Sequence, residues 1–437
     1  MSIYGLDKHQ WLQVLASWGG WLMDGYTTIT YALVAVIIAP VFFPSSLKTV
    51  AIILIFAGFA VSAMARSVGS LLIGNFLGDK LGRRQMLIIT ILFFSLFSAF
   101  KGLLPGYLSI GIAAPVLLYA FLFIEGMFAG AEYGGGTSLS MESVPPERRN
   151  FIGSFVQSGF GLGYFTVAFV FAGLSSYFGP SSFAFIGWRI LFLTALIPGA
   201  LTILIRAFTS ETEVFKNMKK SGEIEKVPLA GLFKEAPRTL ILSLLITTGL
   251  LAVNTATFSF YPGVMELRGG FTGSQVGVAL GIINFVSLFG VWIGGALGNT
   301  INGRKKPMLV YSLIFLMSIY FILKIGFSAG FGLFIVMFSV QAFIEAMIFS
   351  TLPAFLSEQF SKKFRTTAVG FSYNGGGIVG GFAISIILVM SNYVGGILNA
   401  WMTVLFLFSI IMVIGIALSK ETWKRLPDGN MEDAITQ

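Results

Sequence analysis

The chain has 437 residues, 56% of them apolar and only 11% charged, with a formal net charge of +9. A water-soluble fold of this size needs far more charge to cover its surface, so the solvent these residues suit is a bilayer. With no cysteine and a single histidine, His9, in the N-terminal tail, disulfides, thiolate metal sites and histidine-dependent catalysis drop out of consideration.

A membrane-spanning helix needs about 20 mainly apolar residues. In chain order such windows fall at 15–40, 49–77, 85–104, 111–140, 151–177 and 186–207. After a polar stretch they resume at 236–262, 274–300, 307–326, 330–357, 366–392 and 395–419. They are continuously apolar and too long for the period-two alternation of a membrane β-barrel. The expected fold is all-α, with twelve transmembrane helices in two six-helix bundles. Residues 1–207 form the first bundle, 208–235 a cytoplasmic linker, 236–420 the second bundle and 421–437 a cytoplasmic tail. No basic segment followed by a small-residue cleavage site opens the chain, so no removable signal is expected.

The basic surplus is a topology signal and needs no nucleic acid. If both termini are cytoplasmic, the outer loops hold only Lys48, Lys101, Arg189, Arg268 and Lys324. Nearly all other basic residues then fall inside, the positive-inside asymmetry of a multi-pass cell-membrane protein.

The halves echo each other. "FIEGM" at 123–127 returns as "FIEAM" at 343–347, and Glu142 with Arg149 returns as Glu358 with Arg365. "GRRQML" at 82–87 has a counterpart in "GRKKPML" at 303–309. Repeated halves in a polytopic protein point to a transporter whose site lies near the midplane between them.

Charges inside apolar windows are costly and default to functional hypotheses. Arg66 precedes Asp79, at the end of the second window, by 13 residues. A helix rising about 1.5 Å per residue carries it roughly 20 Å deeper. Asp24 enters from the same side on the first window, so the two are expected at a common depth. A cation beside a buried acid favours its charged form, and loss of that contact favours proton uptake. Asp24 is therefore the expected proton-titrating group and Arg66 its partner, or the anchor of a substrate carboxylate; a permanent structural salt bridge is the plainer alternative. Glu125 and Glu345, at equivalent repeat positions, are further proton-coupling candidates. Glu132 fits better as a structural acid near the cytoplasmic end, where it is expected to meet Arg83 and Arg84. Glu142–Arg149 and Glu358–Arg365 are expected as gate pairs.

The stretch from Gly74 through Asp79, Gly82, Arg83 and Arg84 resembles the signature loop between helices 2 and 3 of the major facilitator superfamily. Its glycines leave room for close helix approach and a turn. Its acid can meet a helix N-terminus or arginines, latching the cytoplasmic side. The second half keeps Arg304 but has Asn299 and Thr300 where the acid would fall, so a weaker latch is expected there. "WLMDGY", Arg66-Ser-Val-Gly69, "AEYGGG", "MESVPPERRN", "GSFVQSG", "GWRILFLTALIPG" and "SETEVF" are similar to segments of the metabolite:proton symporter branch and the related sialic-acid and monocarboxylate porters. Two positions depart from that pattern. Thr27 stands where relatives often carry a second acid, and Leu122 where many carry a polar anchor.

The resemblance implies a secondary transporter, not an enzyme, with no cofactor or metal. The expected partners are a small polar organic solute, protons and the lipid bilayer, and a monomer is expected. An organic acid or sugar acid is favoured; a neutral sugar, a polyol or a zwitterion stays open. Candidate substrate contacts are Tyr26 and Tyr31 in the first window, Gln157 in the fifth, Asn254 and Tyr261 in the seventh, Asn284 in the eighth, Gln341 in the tenth, and Tyr373 and Asn374 in the eleventh. A proton-driven exporter is the alternative within transport, and a membrane sensor the alternative outside it.

Overall fold

With no water in the hydrocarbon region, a spanning backbone must satisfy its own amides, so long apolar runs become helices. The computed structural model describes residues 4–44, 48–81, 83–209, 228–268, 270–301, 303–361, 365–423, 425–426 and 429–430, without the side chains of 74–81, 83, 228–231, 425–426 and 429–430. Most of the expected linker, residues 210–227, lies outside the described residues, as does Gly82. So do the side chains of Gly74, Asp79 and Arg83.

The first bundle consists of α1 (Lys8–Phe42), α2 (Lys48–Leu81), α3 (Arg83–Phe100), α4 (Ala113–Glu142), α5 (Arg149–Ser182) and α6, built from Trp188–Leu193 and Leu196–Ala207. The second holds α7, built from Pro237–Ala256 and Tyr261–Arg268, then α8 (Gly273–Thr300), α9 (Lys305–Ser328) and α10 (Phe331–Gln359). It closes with α11, built from Arg365–Gly380 and Ala383–Met390, and α12 (Ile397–Leu418).

Among the described residues, 11 helical runs are long and apolar enough to cross a membrane. One of them, Pro146–Ala207, has 62 residues, roughly 90 Å of helix against a hydrocarbon core of about 30 Å. It turns back at Gly179, whose φ of 67° suits glycine, with Pro180 following. Both ends of the run consequently meet the beginning of α1. Phe155 stacks on Trp18, and Arg206 donates to the carbonyl of Ala16. This run is two spans, which brings the number to twelve.

Two capping boxes start helices at opposite faces. Asp7 and Gln10 cap α1, and Thr272 and Gln275 cap α8, each pair exchanging side-chain and backbone bonds. The outward surface is apolar, with Leu72, Phe289 and Phe321 exposed. Between the bundles, α5 packs along α8 and α10, while α2 and α4 pack along α11.

The repeat has a geometric counterpart at the face that carries the start of α1 and the end of α12, here called the terminal face. Arg149 Nε donates to the carbonyls of Met141 (3.0 Å) and Val144 (3.3 Å) at the end of α4. Arg365 donates to those of Ser357 (2.8 Å) and Phe360 (3.3 Å) at the end of α10. Donor and both acceptors are shifted by the same number of residues. Each guanidinium satisfies carbonyls that a helix end leaves without partners.

Candidate functional site

A cavity of about 110 Å³ lies between the bundles, lined from α1, α2, α4, α5, α7 and α11 and by Lys101. The helical period explains which residues line it. Asp24, Thr27, Thr28 and Tyr31 recur on one face of α1, and Phe59, Ser62, Ala63 and Arg66 on one face of α2. The structure brings Asp24 and Arg66 together in this wall. Arg66 Nη1 donates to Asp24 Oδ2 at 3.1 Å, and its Nη2 donates to Oδ1. Thr28, one turn along α1, accepts from Arg66 Nη2 at 3.3 Å and donates to Asp24 Oδ1 at 3.3 Å. The two charged side chains keep 19% and 12% exposure for Arg66 and Asp24, so the pair is accessible from the cavity. Its position depends on Gly130 of α4. A Cβ there would collide with the backbone carbonyl of Arg66, so only glycine lets α2 come this close.

A second ion pair sits in the same wall. Lys101 follows α3 in a short 3-10 turn and donates to Glu125 Oε2 at 2.5 Å, with both side chains almost fully buried. The ammonium also lies 5.1 Å from the ring of Phe192 and 5.6 Å from that of Tyr31. This corrects the sequence expectation of an outer-loop topology signal at Lys101. The turn folds inward because Arg189 Nη1 ties it down through the carbonyls of Gly102 (2.9 Å) and Leu104 (2.7 Å).

The remaining candidates divide by position. Tyr31, Asn254, Tyr373 and Asn374 line the cavity. Gln157, Asn254, Asn284 and Tyr373 line an adjoining compartment of about 50 Å³. Asn374 is engaged in helix packing, donating to the carbonyls of Gly130 (3.1 Å) and Gly370 (2.9 Å). Tyr26 lies away from the cavity, against Thr194 of the α6 segment (2.7 Å). Tyr261 donates to Gln341 Oε1 at 2.9 Å, behind the cavity wall. Glu345 is fully buried there as well, accepting from Thr257 Oγ1 (2.7 Å) and Asn254 Nδ2 (3.2 Å).

Contacts between the bundles lie on both sides of the cavity. Toward the terminal face, the rings of Tyr133 and Tyr373 stack at 3.6 Å, and Trp21 meets both edge-on. Beyond them, buried Glu358 accepts from Arg304 Nε and Nη2, both at 2.8 Å, and across the bundles from Arg149 Nη1 at 3.3 Å. Arg304 Nη2 also donates to the carbonyl of Pro146 at 2.7 Å. Glu358 is thus held by Arg304 and Arg149, and Arg365 donates to carbonyls at the end of α10. Glu142 is half-buried at the corresponding end of α4. On the opposite face, Phe56 meets Phe260 edge-on at 6.0 Å, and Tyr164 donates to the carbonyl of Phe258 at 2.8 Å.

Besides Lys101, two further partners were missed by sequence reasoning. Glu132 is gripped by Arg206, whose Nη1 donates to Oε2 at 2.8 Å, and Thr90 adds a bond at 3.1 Å. Arg84, from the signature loop, instead donates to the carbonyls of Arg206 and Ala207. Near positions 299 and 300, Glu421 brings a carboxylate to the start of α9. Its carboxylate accepts from the backbone N–H of Arg304 (2.8 Å), Lys305 (3.1 Å) and Lys306 (3.3 Å) at the start of α9. A carboxylate there complements the positive end of the helix dipole.

Two six-helix membrane bundles that bond to each other on both sides of a central cavity, with an accessible ion pair in its wall, have the architecture of a transporter. The sequence profile of the Major Facilitator Superfamily matches residues 25–326, and the chain belongs to that family. It is 30% identical over 377 residues to the inner membrane metabolite transport protein YhjE of Escherichia coli, covering 84% of each chain. It is 29% identical to the ectoine/proline transporter ProP of Corynebacterium glutamicum, over 81% of this chain and 73% of that one. The shikimate transporter of Escherichia coli is 26% identical, over 84% of each. Among solved structures, the proton:xylose symporter XylE bound to 6-bromo-6-deoxy-D-glucose superposes with a TM-score of 0.76 at 18% identity, over 98% of this chain and 99% of that one. The protein is a multi-pass membrane transporter of metabolites, and not an enzyme.

Proposed function

We propose that the protein carries a small polar organic solute, an organic acid or sugar acid, together with protons by alternating access. The observation that carries this reading is the Asp24–Arg66 pair, which is two-pronged yet partly open to the cavity. A solute carboxylate competes with Asp24 for the guanidinium. An Asp24 released from Arg66 loses the contact that favours its charged form and takes up a proton. Solute and proton thereby enter together, and both charges are compensated before the bundles rock. The names of the relatives agree in kind: they include transporters of shikimate, an organic acid, and of ectoine and proline.

The rocking bodies are residues 1–207 and 236–420, joined by the linker 208–235. The terminal face is cytoplasmic, in keeping with its lysines and arginines, and the membrane is the cell membrane. Neither ion pair needs a second copy of the chain for completion, in line with a monomer.

The test is counterflow in proteoliposomes over a panel of organic acids, sugars and zwitterions, with and without an inward proton gradient. Asp24→Asn should abolish proton-driven accumulation and leave exchange of the same solute measurable. Accumulation at the native rate in that variant would remove Asp24 from the coupling role.

A further inference from the structure

Glu125, Glu132 and Glu358 are buried in ion pairs, but one fully buried carboxyl stands outside the mechanism and outside those pairs. Glu345 on α10 has no exposed surface and no ammonium or guanidinium partner among the described residues; its oxygens accept only from Thr257 Oγ1 and Asn254 Nδ2. Both donors belong to the place where α7 is broken. Its first stretch ends at Ala256, Thr257 has φ −110° and ψ −88°, and the helix resumes at Tyr261. Carbonyls at the break turn to side chains. That of Ala256 accepts from Trp401 Nε1 (2.5 Å), and that of Phe258 accepts from Tyr164 of the other bundle (2.8 Å). The stretch after the break carries Phe260 and Gly263 against Phe56 of α2, on the opposite face.

We infer that Glu345 is a second proton-binding carboxyl, and that its protonation state sets the break in α7 through Thr257 and Asn254, and with it the closure of the opposite face. The hydroxyl of Thr257 has one proton and two acceptors in reach, Glu345 Oε2 at 2.7 Å and the carbonyl of Val253 at 2.8 Å. With Glu345 ionised, that proton points to the carboxylate and holds α10 to the break. When the carboxylate gains a proton from water admitted to the cavity, its new O–H donates to Thr257 Oγ1. The threonine proton then turns to Val253, one helical turn back. No bond is left unmade, but the charge-assisted bond becomes a neutral one of roughly half the strength. Asn254 lines the cavity and donates to Glu345, so an occupant of the cavity competes with the carboxyl for that amide.

The other titratable groups around this carboxyl are already engaged. Tyr261 on α7 bonds Gln341, Tyr164 on α5 bonds Phe258, and Tyr373 on α11 stacks on Tyr133. No titratable side chain occurs on α8 or α12. On α9, Tyr311 donates to the carbonyl of Gly294, Tyr320 is exposed, and the lysines lie in its first and last turns or close to them.

The inference rests on the transport reading but not on Asp24. The protein has no cysteine, so a single introduced thiol reports cleanly. Ser385→Cys places one on the opposite face, where Ser385 now meets the carbonyl of Ile53. The rate of maleimide labelling in proteoliposomes is followed from pH 5 to 9 and divided at each pH by the rate for the same protein unfolded, so that the ionisation of the thiol itself cancels. In the Ser385→Cys protein the rate should change several-fold across this range. Glu345→Gln and, separately, Thr257→Val should flatten the profile, and Thr257→Ser should restore it. Asp24→Asn should leave it pH-dependent. A profile unchanged by Glu345→Gln, or flat in the Ser385→Cys parent, overturns the inference. A profile flattened by Asp24→Asn alone assigns the coupling to Asp24 and overturns it as well.

Discussion

Glu125 and Glu345 stand at the same place in two copies of one short motif, yet their surroundings have opposite character. Glu125 is clamped by the Lys101 ammonium at 2.5 Å, whereas Glu345 meets only a hydroxyl and an amide. The partner in the first bundle comes from a loop, folded inward by Arg189, that has no counterpart in the repeated motif. What the two copies share is the frame at the terminal face, where Arg149 and Arg365 close equivalent helix ends. What they do not share is charge compensation at depth. A compensated carboxylate is fixed by its counter-ion, while an uncompensated one can exchange a proton without stranding a cation.

The sharpest break of this comparison is Glu125→Gln, which leaves the Lys101 ammonium buried without its counter-charge. Stability should fall by about 3–5 kcal/mol, with much of it recovered in the double variant Lys101→Met/Glu125→Gln. Thermal unfolding in detergent reads both, and a single variant as stable as the native protein would mean that the pair is not compensating. A smaller effect is expected where the halves agree. Arg149→Lys keeps a charge facing Glu358 but cannot reach both carbonyls at the end of α4, so a loss of about 1–2 kcal/mol should appear in the same assay. The smallest concerns the latch of α9. Glu421→Gln should cost about 0.5–1 kcal/mol through the helix dipole, and this difference should shrink as salt is raised; a salt-independent loss would point to packing instead.

Most of the fold was legible because hydropathy over 20 residues is a property of composition, and each of the twelve windows became a span. The Asp24–Arg66 encounter was legible because a constant rise per residue fixes depth. Lys101, Arg206 and Glu421 were not. Each sits at a window edge, where a basic or acidic residue is ordinary, and its partner lies on another element at a register no single sequence reveals. Lys101 alone offered a signal, an isolated charge between "FFSLFSAF" and "GLLPG". The break in α7 was hidden as well. Its window was read as one span ending at 262, but the helix resumes and runs to Arg268. The hydroxyls that hold the break, as in "NTATFSF", look like ordinary helix-packing residues.

The ion pairs Asp24–Arg66, Lys101–Glu125 and Glu132–Arg206 all lie within the first bundle, whereas Arg149–Glu358 straddles the two bundles. A rigid swing of one bundle past the other therefore carries the three internal couples along intact, like ballast in a hull. The Arg149–Glu358 contact has to part in that swing, and since the Glu358 side chain has no exposed surface, dissolved salt screens it little and the speed of the cycle should depend only weakly on ionic strength.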